Sequence, residues 1–137
     1  MEKTLILYPA IGMMILTLFV YVKNYLNFVK AKKSNAIKFS YFKTYQGEVP
    51  DYVDVSRQTL KNQFELPIFF YFLISIILVF DKVSQLDLIL AWIFVASRYL
   101  HCYIRLSSNY VPYRAIVFQL GMFVLIAWWI ISLYNIL

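Results

Sequence analysis

The chain is short of nearly everything that soluble catalytic chemistry is built from. Its one cysteine, Cys102, rules out an internal disulfide. That cysteine lies beside an apolar segment, where a thiol serves as a small packing residue. Its one histidine, His101, belongs to no grouping with zinc-ligand spacing. The only glycines are Gly12, Gly47 and Gly121, so there is no Gly-rich loop to cradle a phosphate. Charge is scarce as well, at 15% of 137 residues, where a soluble domain carries about 25%.

What the chain has is apolar sequence in blocks. Hydrophobic residues make up 62% of it, and their clustering points to lipid rather than water as the solvent. One domain over residues 1–137 is expected, with spans at about 4–25, 60–80, 86–106 and 113–135. Leu5 to Val22 carries no charge and is long enough to cross ~30 Å of hydrocarbon. It lacks the basic start and small-residue cleavage site of a signal peptide, so it is read as a retained helix. Pro9 stands near its start, where a missing N–H costs least.

Lys23 to Asp54 is the longest polar stretch. Its lysines alternate with Phe39, Tyr41, Phe42 and Tyr45, which beside a membrane helix suggests anionic headgroups and interfacial rings. Nucleic acid is not the expected partner. Gln46 to Pro50 is a loop, and Asp51 or Asp54 is the expected N-cap of the helix that follows.

The second helix begins near Tyr52 and runs to Phe80, and it turns from polar to apolar without a break signal until Pro67. It is longer than a bilayer needs, so Arg57 and Lys61 should stand outside. Lys61, Asn62 and Glu65 fall within about a quarter turn of one another, and Gln58 lies among them. A carboxylate at the mouth of a membrane is a functional candidate; the plainer alternative is that Lys61 or Arg57 neutralises it. Pro67 should kink the helix just past Glu65.

Asp81 to Gln85 is a tight connection. The third segment is apolar from Leu86 to Ser97, then presents Arg98, His101 and Arg105 within about 60° of one another. Snorkelling interface residues are the alternative explanation of that stripe. Pro112 breaks the next turn, and the fourth segment runs from Tyr113 to Leu137. Trp128, Trp129 and Tyr134 near its far end read as an interface belt.

Eight basic residues lie between Lys23 and Lys61, and Arg98, Arg105 and Arg114 mark the third connection. The positive-inside rule makes both of these connections cytoplasmic and both termini non-cytoplasmic. The two polar stripes then meet at one membrane face, as the lining of a pocket between helices. Ionisable residues are absent from the deep half of every span, which argues against an ion path. Brevity and the lack of retrieval signals suggest a bacterial inner membrane.

Four short-looped helices, with Arg57, Asn62-Gln-Phe-Glu65-Leu-Pro67 on the second and Ser97-Arg98-Tyr-Leu-His101 on the third, resemble the MAPEG family (membrane-associated proteins in eicosanoid and glutathione metabolism), in a bacterial-type form. The resemblance implies an all-α integral membrane four-helix bundle, assembled as a homotrimer in the lipid bilayer. It implies glutathione as co-substrate, bound near the cytoplasmic face between subunits, with a lipophilic second substrate. By the same resemblance Arg57, Asn62, Glu65, Arg98 and His101 bind glutathione, with Tyr99 and Tyr103 as further candidates. Arg105 and Arg114 are the candidates for stabilising its thiolate. His101 stands about where well-studied members carry a tyrosine. The expected function is therefore a membrane-bound glutathione transferase or glutathione-dependent peroxidase. The alternative is a non-catalytic member that binds a lipid, small molecule or protein.

Overall fold

The computed structural model describes residues 3–136, so Leu137 at the end of the fourth segment lies outside the described residues. Among the described residues every regular element is helical. A 3-10 turn over Lys3–Ile6 leads into α1 (Leu7–Lys33), followed by α2 (Tyr41–Thr44), α3 (Asp51–Asn62), α4 (Leu66–Val79), α5 (Gln85–Leu106) and α6 (Val111–Ile136). By length and apolarity these form four membrane-crossing units, Lys3–Lys33, Asp51–Val79, Gln85–Leu106 and Val111–Ile136. The protein is an integral membrane four-helix bundle.

Its core is a column of Met13, Leu16 and Val20 from α1, Phe70, Leu73 and Ile77 from α4, and Phe94 and Val95 from α5. The Phe70 and Phe94 rings stack at 4.9 Å, and Trp128 of α6 meets Phe70 edge-on at 5.9 Å. Gly121 lets α6 approach α5 closely. A Cβ there would lie 2.5 Å from Ser97 Oγ.

The first helix is longer than its apolar run. It continues past Tyr25 to Lys33 because its last turns pack on α3 rather than on lipid. Ser56 donates to Asn24 Oδ1 at 3.1 Å, and Asn27 Nδ2 donates to the carbonyl of Tyr52 at 3.0 Å. The polar stretch behind it folds into a small core of Ala31, Ile37, Tyr41 and Val53. Tyr41 is thus buried and not an interfacial ring, whereas Phe39 and Tyr45 remain exposed. Lys32 sits over the Phe39 ring at 4.1 Å.

Three expectations need correcting. Neither Asp51 nor Asp54 caps α3. Pro50 holds the N-cap position, and Asp54 accepts hydrogen bonds from Arg57 and Gln58 instead. Trp128 does not belong to an interface belt. It is fully buried, and its indole N–H donates to Asp87 Oδ1 at 2.6 Å. The second helix does not merely kink: its α-helix stops at Asn62 and restarts at Leu66. Pro67 is the cause. It lacks the N–H that would bond the carbonyl of Gln63 four residues back, and it suits the first turn of a new helix.

Asp87 is also an ionisable group inside the bundle that the apolar reading of the third span passed over. It is buried in the first turn of α5. Ser84 and Asp87 form a reciprocal capping box, in which Ser84 N donates to Asp87 Oδ2 at 2.8 Å. Ser132 of α6 adds a 3.2 Å bond to Oδ1. This is a carboxylate with its acceptor sites filled.

Candidate functional site

The opposite end of α5 is built differently. Arg98, His101, Cys102 and Arg105 recur at helical spacing on the buried face. Arg98 is 1% exposed, His101 2% and Arg105 7%. Among the described residues the ion pairs are Lys3–Asp81 and Arg57–Asp54, so neither buried arginine of α5 is neutralised by a carboxylate.

Arg98 makes one hydrogen bond, from Nη2 to the backbone carbonyl of Asn62 at 3.2 Å. That carbonyl lies in the last turn of α3, next to the break, where carbonyls have lost their helical partners. Nε and Nη1 of Arg98 are buried without a partner, as are Nε of Arg105 and Nδ1 of His101. The Phe118 ring from α6 covers both groups, 5.4 Å from the Arg98 guanidinium carbon and 5.6 Å from the His101 ring. Phe118 offers a cation its π-face but no negative charge.

Arg105 Nη2 donates to Gln58 Oε1 at 2.6 Å. Gln58 in turn donates to Asp54 Oδ2 at 2.5 Å, and Asp54 pairs with Arg57 at 2.9 Å. This chain of bonds draws the start of α3 and the end of α5 together around a polar recess. The recess has a volume of about 390 Å³ and is lined by Arg57, Gln58, Lys61, Asn62, Glu65 and Arg105. Glu65 stands at the break, exposed and without an ion pair, so neither Lys61 nor Arg57 is its fixed counter-ion. The break turns the carboxylate into the recess beside Asn62.

The structure therefore brings Arg57, Asn62, Glu65 and Arg105 to one recess, with Arg98 bonded to Asn62 from behind it and His101 next to Arg98 under the Phe118 ring. It does not bring in the tyrosines. Tyr99 and Tyr103 lie about 100° and 140° around α5 from Arg98. The Tyr99 hydroxyl donates to the carbonyl of Gly12 at 2.7 Å, and Tyr103 is exposed. Tyr110 packs edge-on against Tyr113. Arg114 lies outside the recess lining, and its guanidinium is hydrogen-bonded to Asn109.

Phe118 and Gln63 escaped the sequence reading. Phe118 is one ring among many on an apolar helix and carried no signal. Gln63 had one, as a polar residue at the edge of an apolar run, one step off the Asn62–Glu65 stripe. It is 2% exposed, and its Nε2 faces Cys102 Sγ at 3.7 Å.

Chemically, the recess offers paired guanidinium forks for carboxylates, one carboxylate for an ammonium group, and an amide that both donates and accepts. It holds no cluster suited to a metal ion among the described residues. Neither the curated proteins nor the solved structures contain a match to the chain. The profile of the MAPEG family does match, over residues 6–134. With nearly the whole length covered and four apolar helices in place, the chain belongs to the MAPEG family.

Proposed function

We propose that the recess binds glutathione and that the protein is a membrane glutathione transferase or glutathione-dependent peroxidase acting on lipophilic electrophiles or hydroperoxides. The observation that carries this reading is a recess in which the buried, incompletely bonded Arg105, with Arg57 and Lys61, faces the free carboxylate of Glu65. Buried guanidinium groups without a counter-ion are costly. A ligand with two carboxylates removes that cost and gains charge-assisted bonds. A ligand with an ammonium group as well also satisfies Glu65. Glutathione has this charge pattern.

In that arrangement Arg57 and Lys61 meet the carboxylates, Glu65 holds the ammonium, Asn62 holds the peptide, and Arg98 fixes Asn62 from behind the recess. When bound, glutathione supplies a thiol, which becomes the nucleophile once a fixed cation lowers its pKa from the usual ~8.5. Arg105 is the better placed of the two candidate cations, because it lines the recess and Arg114 is tied to Asn109. The family's homotrimer and a site shared between subunits belong to the same proposal, as do a cytoplasmic recess and termini on the other side.

A second reading, a ligand-binding member without turnover, is favoured by one observation. Among the described residues, no tyrosine lines the recess to steady a thiolate. Calorimetry of detergent-purified protein with glutathione tests the binding, with Glu65→Gln as the comparison. We expect binding by wild type and at least a tenfold loss in the variant, about 1.4 kcal/mol. No binding at millimolar glutathione sinks the proposal. Thiolate absorbance in the ultraviolet then separates the two readings. It should rise when wild type binds glutathione and fail to rise in Arg105→Met; binding with no thiolate in wild type would leave the non-catalytic member.

A further inference from the structure

The polar stretch between the first two spans forms a groove of its own, which shares no lining residue with the recess. Tyr21, Tyr25, Phe28 and Lys32 follow one another at steps of four, three and four residues. They therefore make one stripe along α1 that passes from aromatic to cationic. Phe39 and Tyr45, from the turn and short helix that follow, line the other side of a groove of about 560 Å³. That wall is held from behind, where Ile37 and Tyr41 pack with Ala31 and Val53 in the small core. From Leu5 to Tyr25 the helix rises ~30 Å, the thickness of the hydrocarbon layer. The Tyr21 end of the groove thus lies at the edge of the acyl chains. The Lys32 end stands about 10 Å beyond Tyr25, on the headgroup side.

Charge in this stretch has one sign. Lys23, Lys30, Lys32, Lys33, Lys38 and Lys43 are all exposed, and no acid occurs between Lys3 and Glu48. Among the described residues none of these lysines is in an ion pair. Two rest on rings instead, Lys30 over Tyr52 at 4.9 Å and Lys32 over Phe39 at 4.1 Å. A ring face attracts an ammonium group without neutralising it. A basic stretch beside a span attracts anionic headgroups anywhere along it. The groove singles out one lysine, because Lys32 alone of the six lines it. A wholly apolar occupant would leave that charge unanswered, and a small soluble anion would leave the rings uncovered. An anionic amphiphile answers both.

We propose that this groove is a site for one anionic phospholipid of the surrounding bilayer, with its phosphate on Lys32 and the upper part of an acyl chain along Tyr25 and Tyr21. The other exposed lysines raise the local density of anionic headgroups from which it fills. The site stands whether or not the recess binds glutathione.

The test is native mass spectrometry of the full chain in detergent, titrated with phosphatidylglycerol or phosphatidylcholine of identical acyl chains. Wild type should retain one phosphatidylglycerol per chain, with a preference over phosphatidylcholine of about tenfold. Lys32→Gln should cut that preference about fivefold, and Lys33→Gln, Lys38→Gln and Lys43→Gln singly less than about twofold. Val29 also lines the groove. Val29→Trp fills the space, keeps every lysine, and should cost as much as the loss of Lys32. Lys32 is exposed, so its removal leaves the packing of the stretch intact. Equal losses from all the lysine variants, with none from Val29→Trp, would mean diffuse surface charge and overturn the proposal. So would the absence of any preference in wild type. Displacement of the lipid by an equal concentration of glycerol phosphate would overturn it too, because the groove would then be a site for a free phosphate anion.

Discussion

The two ends of α5 both bury charge, and they settle it in opposite ways. At the N-terminal end Asp87 accepts from Ser84, Trp128 and Ser132, so each oxygen has partners and the helix N-terminus favours its negative charge. At the C-terminal end Arg98 and Arg105 are buried with donors left over and no carboxylate bonded to them. A buried charge whose partners are complete is a clamp: it joins α5 to α6 and has nothing further to offer. A buried charge whose partners are missing is held ready for something that arrives. Burial alone does not separate the two; the hydrogen-bond inventory does.

That contrast can be broken by removing each charge. Asp87→Ala should give the largest loss of stability. It leaves the Trp128 indole and two hydroxyls unanswered and deletes the capping box, for a cost on the order of 3 kcal/mol. Thermal unfolding in detergent should show a lower midpoint, with glutathione affinity unaltered. If the midpoint holds, the clamp is no clamp.

Arg98→Met should do the reverse. An apolar chain of similar length ends an uncompensated burial, so stability should hold or rise, by up to ~1 kcal/mol. Glutathione affinity should fall about 30-fold, about 2 kcal/mol, because the bond that fixes Asn62 at the recess is lost. Calorimetry and unfolding on one sample check both signs. A fall in stability with intact affinity would place Arg98 with the structural charges and erase the contrast.

The smallest effect sharpens the comparison. Phe118→Leu keeps the packing volume near Arg98 and His101 and removes the π-face, a change of about 1 kcal/mol. Glutathione affinity should fall about fivefold and recover in Phe118→Tyr. Equal binding by the leucine variant would mean that the ring only fills space.

Much of the fold was legible because lipid imposes a strong rule. Long uncharged runs must be helices that satisfy their own backbone, and Leu5–Val22 or the run after Pro67 could be nothing else. The stripe of Arg98, His101 and Arg105 was legible for a similar reason, since helical periodicity puts such residues on one face whatever that face meets. Trp128 was misplaced because a tryptophan near a span end is the mark of an interface, and only the fold revealed Asp87 opposite it. The extra turns of α1 had the same origin: nothing in Lys23 to Lys33 announced that Asn24 and Asn27 would find Ser56 and Tyr52.

The sequence by itself determined that this is a four-span helical membrane protein, which residues share each helix face, and where Pro67 interrupts the second span. Those are matters of local period and of one missing N–H. Only the tertiary structure decided which charges are finished and which are left open. Partners such as Trp128 for Asp87, Gln58 for Arg105 and Phe118 for Arg98 come from other helices, at separations no local pattern encodes. The same is true of the break, because what Asn62 and Gln63 each face is set by the helices packed around them.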